Sequence, residues 1–273
     1  MATLRNTTGG VEGRRRRKSL GILAAAAVLP LLSHAAVLFI NRGADGWFNM
    51  PSAVRWSLAA DAMLYTAGSA IVAGPVIGVA AILAYRFNRD HTGPTHDGLR
   101  AASLIAVSAL LFAMVSAGLS MAWRAGQPGV AGIVLQSHVT SAAVVCALMA
   151  WGAFCGAWFR DPLDAAACSV AFAVSAAAAL LVAGAVVADI PASVLGWGLI
   201  ASPLVVVASA AHIDIARTDL LYQISPLAHI QFDYPTWGRA TALYLAVAFA
   251  CFVGVTLKSR AWSPGVRDLR GLP

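Results

Sequence analysis

"AGIVLQSHVTSAAVVCALMAWGAFCGAWF", Ala131–Phe159, runs for 29 residues without an aspartate, glutamate, lysine or arginine. At 1.5 Å of rise per residue, about 20 apolar residues span a hydrocarbon core of roughly 30 Å. The run is long enough to cross, and its length excludes a strand. Only a helix or a closed barrel satisfies its backbone in lipid, so the stretch is read as a membrane helix.

The rest of the chain repeats this pattern. Of 273 residues, 59% are hydrophobic and 11% charged, with a mean hydropathy of +0.75. A soluble domain carries about 25% charged residues, so there is too little polar surface here to cover a water-soluble particle. Further apolar runs occupy Leu20–Ile40, Ala62–Tyr85, Ala101–Trp123, Leu163–Ala188 and Ala240–Leu257, with Asp164 the one charged residue in them. The expected fold is all-α and polytopic, with six spans at about 20–40, 62–85, 101–123, 131–159, 163–188 and 240–257. Residues 1–18 form a basic tail, 19–260 a single transmembrane domain and 261–273 a C-terminal tail.

Residues 189–239 divide the fifth run from the last. Val194–Ala211 is apolar but about 18 residues long, and it contains Gly196, Gly198 and Pro203. It spans, or it enters and leaves by one face. Charge arbitrates. If it does not span, 14 of the 19 Lys and Arg residues lie on the side of the N-terminus and five on the other; if it spans, the division is 12 to seven. The six-helix arrangement fits the positive-inside rule better, with both termini cytoplasmic. Residues 189–239 then form an external excursion with a re-entrant hairpin. Trp197, Tyr222, Phe232, Tyr234 and Trp237 suit its interface, because an amphipathic ring settles where lipid meets water.

The basic cluster Arg14–Arg15–Arg16–Arg17–Lys18 stands directly before the first run. It reads as a topology signal before a retained helix, since the run exceeds a signal-peptide core and further spans follow. No aromatic or fold signature accompanies it, so nucleic acid is not an expected partner. The four cysteines, Cys146, Cys155, Cys168 and Cys251, lie inside apolar runs without C-x-x-C spacing and are read as small buried hydrophobes.

No phosphate-cradling G-x-x-x-x-G-K-[ST], H-E-x-x-H or G-x-S-x-G occurs, so nucleotide hydrolysis and hydrolase chemistry are not expected of this chain. The longest internal loop, Tyr85–Arg100, reads as a solvated connection broken at Gly93–Pro94, or as a docking surface. His91 and His96, five apart across that break, do not make a metal spacing. His34 and His138 lie at matched depth, about 10 Å below the outer surface. They are read as interhelical hydrogen-bonding groups or pathway residues, with axial haem ligation as the sharper alternative. Gly74–Pro75 in the second run is expected to kink it.

Three stretches carry a family likeness. "ISPLAHIQFDYPTW", Ile224–Trp237, resembles the Ser-Pro-x-x-His element before the last helix of ABC-2 type permeases. "TALYLAVAFACFVGVTLKSRAW", Thr241–Trp262, resembles their final helix with its basic, Trp-containing exit. "GAWFRDPLDAAACSVAF", Gly156–Phe172, resembles their turn between the fourth and fifth helices, and "GPVIGVAAILAYRFNRDH" resembles actinobacterial members. The resemblance implies a permease subunit of an exporter in the cytoplasmic membrane that dimerises with itself or a second permease. A separate ATP-binding cassette subunit would hold ATP and Mg, and this chain would carry no cofactor, no metal and no enzymatic activity. Docking falls to Arg86, Asn88, Arg89, Asp90, His91, Asp97 and Arg100. The external gate falls to Pro203, Ser225, Pro226, His229, Tyr234 and Pro235. Two rival expectations stand beside it: a membrane redox protein ligating haem through His34 and His138, and a non-transporting accessory or immunity protein.

Overall fold

The structure, a computed structural model, describes residues 5–40, 52–86, 94–123, 130–182, 198–213 and 234–261. All regular structure among them is helical. We number the helices α1 (Arg5–Ile40), α2 (Ser52–Arg86), α3 (Pro94–Trp123), α4 (Val130–Trp158), α5 (Pro162–Val182), α6 (Pro203–Ala210) and α7 (Trp237–Ala261). Five are long and apolar enough to cross a membrane: α1, α2, α3, α4 and α7. The helical character expected from the apolar runs is present, and five such helices are compatible with a multi-pass membrane protein. The apolar part of α5, Pro162–Ala178, is shorter.

Three boundaries differ from expectation. Helix α1 begins at Arg5, so the basic tail is helical and continuous with the first span. Arg and Lys are good helix formers, and a helix nucleated by its apolar part propagates outward at little cost. Pro94 starts α3 instead of breaking a loop, so Thr95–Arg100 belong to the helix. A proline at the first helical position lacks only an N–H that has no partner there, and its fixed φ suits the turn. Pro203 likewise opens α6, so the apolar stretch 194–211 is not one helix: residues 198–201 are helical, Ser202 is extended at φ −85°, ψ 114°, and α6 follows. Pro30 and Pro75 stand inside α1 and α2, which the hydrogen-bond pattern carries through as continuous helices.

Contacts between named residues set the helix directions. Ser33 meets Ser69 and His34 meets Thr66, so α1 and α2 are antiparallel. Ser116 and Ser120, late in α3, meet His138, early in α4, so the end of α3 lies beside the start of α4. Thr140 meets Thr241 and Phe154 meets Gly254, so α4 and α7 are parallel. Trp151 packs on Phe172 and Cys155 on Ala165, so α5 runs back along α4.

Helix α4 is the hub: 67% of its span is buried, against 33% for α1 and for α7. Its tightest partner is the parallel α2. A Cβ on Gly78 would collide with the Met149 carbonyl, and one on Gly152 with the Pro75 carbonyl. A Cβ on Gly74 would press Leu148 and one on Gly156 would press Ile82. "GPVIG" (74–78) and "GAFCG" (152–156) thus face each other as two small-xxx-small motifs whose backbones touch. Lipid tails supply no hydrophobic drive between helices, so this close van der Waals approach is what holds the pair.

A buried polar layer at one end of the bundle

The helix directions bring the C-terminal parts of α1 and α3 together with the N-terminal parts of α2, α4 and α7. At that end most of the buried polar side chains gather: Ser33 and His34 on α1, Thr66 on α2, Ser116 and Ser120 on α3, and Ser137, His138 and Thr140 on α4, while Ser108 and Ser169 lie away from it. Every buried polar side chain among the described residues is a hydroxyl or an imidazole, and none is a formal charge. That follows from the solvent, because a hydroxyl can satisfy itself on its own helix while a lone charge cannot.

Thr66 donates to the Ala62 carbonyl at 2.6 Å, Ser69 to Thr66 at 2.8 Å and Ser33 to Leu29 at 3.0 Å, while the Ser33 and Ser69 hydroxyls lie 3.1 Å apart. His34 Nδ1 is 2.9 Å from the Pro30 carbonyl, which can only accept, so this nitrogen carries the proton. Thr66 Oγ1 lies 3.5 Å from the same nitrogen.

His138 is placed more tightly. Its Nδ1 donates to the Val134 carbonyl at 2.7 Å, which leaves Nε2 as the acceptor. Nε2 receives the Ser116 hydroxyl at 3.2 Å and the Ser120 hydroxyl at 3.4 Å; the two serines are one turn apart on α3 and so share a face. Ser137 beside it donates to Val134 at 2.9 Å and reaches Met63 on α2 at 3.7 Å. The layer thus ties α3 to α4 through an imidazole, α4 to α2 through a thioether, and α4 to α7 through Thr140–Thr241 at 3.1 Å.

Helix α6 enters the same end. Tyr244 donates to the Ala201 carbonyl at 3.1 Å and Ser202 to Ala177 at 3.5 Å, while at its other end Ser209 donates to the Pro235 carbonyl at 2.8 Å. Eight residues rise about 12 Å, less than half of a hydrocarbon core, so α6 lies within one half of the bundle. It closes with Ile213 N–H on the Ala208 carbonyl at 2.8 Å and His212 at φ 57°, a left-handed position that glycine fills without strain. Next to it opens a cavity of about 430 Å³ whose walls include Gln136, Ser209, His212, Tyr234, Pro235 and Trp237.

The structure places the expected site residues unevenly. His34 and His138 are both buried in the polar layer, each in its own set of hydroxyls. Pro203, Tyr234 and Pro235 lie around α6 and the cavity at that same end. Arg86 ends α2, Asp97 falls in the first turn of α3, and exposed Arg100 follows it, all at the opposite end. Asn88, Arg89, Asp90 and His91, like Ser225, Pro226 and His229, lie outside the described residues. Sequence reasoning passed over Ser116, Ser120 and Thr241, although the four-residue spacing of the two serines signals one helix face. It also took Cys168 for a buried side chain, and the structure exposes it. No protein-family model, curated protein or solved structure matches the chain.

Proposed function

We propose that this chain is the membrane-spanning permease subunit of an ATP-binding-cassette transporter of ABC-2 type, acting as an exporter in the cytoplasmic membrane. It crosses six times, through α1–α5 and α7, with both termini cytoplasmic and α6 as part of an external re-entrant arm. It works as a dimer, and the energy comes from a separate ATPase subunit that holds ATP and Mg.

The observation that carries this reading is the division of the bundle into two unlike ends. One end holds an uncharged polar layer and a cavity, which suits passage of substrate. The other end gathers cations: Arg17 and Lys18, Arg86, Arg100, Arg160 and Lys258 all fall there by helix position. The cationic end matches the cytoplasmic side by the positive-inside rule and offers charge to a soluble partner. Haem ligation by His138 is not favoured, because both of its ring nitrogens are already engaged and iron would have to displace two seryl hydroxyls.

The test is co-purification with the ATP-binding-cassette ATPases of its own host, comparing the wild type with an Arg86→Glu, Arg89→Glu, Asp97→Arg variant. The complex and its stimulated ATP hydrolysis are expected in the wild type and lost in the variant. A wild-type chain that draws no ATPase supports the accessory reading, and a Soret band in the purified protein supports the redox one.

A further inference from the structure

Toward the cationic end, α4 carries a row of aromatic rings between two neighbouring helices. Phe172 of α5 packs on Trp151 with ring centroids 4.6 Å apart, Trp151 stacks on Phe154 at 5.6 Å, and Phe154 meets Trp158 at 5.6 Å. On the other flank, Gly254 of α7 faces the Phe154 ring, and Lys258 one turn later puts its Nζ 4.4 Å from the Trp158 ring centroid. Helices α5 and α7 thus flank the row. At its outer end Phe154, Trp158 and Phe159 line a groove of about 390 Å³. Protein does not cover these rings, since Trp158 is 52% exposed and Phe172 57%. The candidate span of α4 ends at Trp158 and that of α7 at Lys258, so the groove opens where hydrocarbon gives way to headgroups. Exposed Arg160 follows two residues after Trp158. The acids nearest in sequence, Asp161 and Asp164, stand at the start of α5, where they complement its N-terminus, and Asp161 Oδ1 accepts the Leu163 N–H at 2.7 Å.

We propose that this groove is a binding site for an anionic glycerophospholipid, with an acyl chain along the rings and the phosphate between Lys258 and Arg160. The rings take the chain of any phospholipid, so the two cations make the choice of headgroup. Lys258 is held over Trp158 by the attraction of a cation to the ring face, which places its charge at the mouth of the groove. Each basic side chain beside an anionic headgroup is worth about fivefold in preference. The carbonyl ends of α4 and α7 lie at this level and oppose an anion, so the two cations together give about a 5- to 25-fold preference over a zwitterionic lipid. A second copy of the chain seated here about a two-fold axis would bring the same cations to the contact from both sides, whereas an anionic lipid neutralises them. The site rests on the bundle lying in a bilayer and on nothing in the transport reading, so an ATPase that fails to co-purify leaves it standing.

The full-length protein is placed in phosphatidylcholine nanodiscs that contain a small share of lipid with brominated acyl chains, which quench tryptophan fluorescence on contact. Brominated phosphatidylglycerol is expected to quench several-fold more than the same share of brominated phosphatidylcholine. Trp158→Phe, which keeps a ring in the groove, should remove most of that excess. Lys258→Gln with Arg160→Gln should quench alike with both lipids, and Lys258→Arg, which keeps the charge, should quench as the wild type does. Equal quenching of the wild type by the two lipids overturns the proposal. So does an excess that survives Trp158→Phe or the loss of both cations. A groove covered by a second copy would show as a Trp158 that neither lipid quenches, and that outcome overturns it too.

Discussion

His138 shows what a single buried polar residue does in a bundle that lies in lipid. Its Nδ1–H is held by its own helix, so only Nε2 is left to work between helices, and two hydroxyls from α3 converge on it. The serines have an alternative on the carbonyls of their own helix, but the imidazole has none for Nε2 in this direction. Removing both donors, Ser116→Ala with Ser120→Ala, therefore strands a buried acceptor and should lower unfolding free energy by about 1–3 kcal/mol. Interhelical hydrogen bonds in bilayers average nearer 0.6 kcal/mol, so the lower half of that range is the firmer expectation. Ser103, exposed and bonded to the Arg100 carbonyl three residues back, is the control: Ser103→Ala should change stability by less than about 0.5 kcal/mol. SDS-titrated unfolding of the three proteins measures this, and equal midpoints would remove the clamp. Both histidines bond the carbonyl four residues back, and His34 differs in its contact across helices, 3.5 Å to Thr66 on α2 against 3.2 and 3.4 Å from His138 to two serines on α3. His34→Ala should loosen the bundle less than the paired serine changes do, in the same titration. Both histidines were legible as candidates from their depth alone. Which hydroxyls each of them meets was not, because that depends on the facing helix.

The contact between α2 and α4 is set by absent side chains. At Gly78 and Gly152 the obstacle to a Cβ is a backbone carbonyl, which cannot rotate away as a side-chain tip can. Gly78→Ala or Gly152→Ala must push the two helices apart along their length, with an expected cost of about 1–3 kcal/mol. Gly68, Gly118 and Gly132 sit on helices with open space at the Cβ, and alanine there should be neutral or stabilising by up to about 1 kcal/mol. Thermal midpoints in detergent for the five variants separate the groups, and a Gly78→Ala protein as stable as wild type would refute the close approach. The two glycine pairs are visible in the sequence, yet Gly74–Pro75 reads there as a kink. Nothing local says that α2 pairs with α4 across the intervening α3. Prolines mislead in the other direction: Pro94 and Pro203 look like breaks, and the structure uses each as a helix start. Apolar length located five of the expected spans to within a few residues, because the bilayer sets it. Pairing and helix starts depend on neighbours, and composition does not carry them.

For the molecule as a whole, the decisive quantity is the number of crossings, since its parity sets the side of the C-terminus. Helix α5 has a shorter apolar part than the five candidate spans: its 21 residues extend about 31 Å, but the apolar part ends at Ala178. Packing argues that it crosses. It runs antiparallel to α4, with Ala165 beside Cys155 at one end and Phe172 on Trp151 farther along. Ala177 then meets Ser202, and Ser202 follows the Ala201 carbonyl that Tyr244 binds near the start of α7. In the six-crossing proposal, a helix that begins where α4 ends and reaches the level where α7 begins returns the chain to the opposite face. α7, parallel to α4, then carries it back. On the six-crossing proposal the C-terminus shares a side with the N-terminus, and the positive-inside rule makes that side the cytoplasmic one. In a variant without its natural cysteines, Thr7→Cys and Ser263→Cys should react with a membrane-impermeant maleimide only after the cells are permeabilised, while Ser52→Cys, at the start of α2, should react in intact spheroplasts. Labelling of Ser263→Cys from outside would mean an odd number of crossings. The cations after α7 would then face away from the ATPase, and the two-ended design would lose its meaning together with the docking proposal.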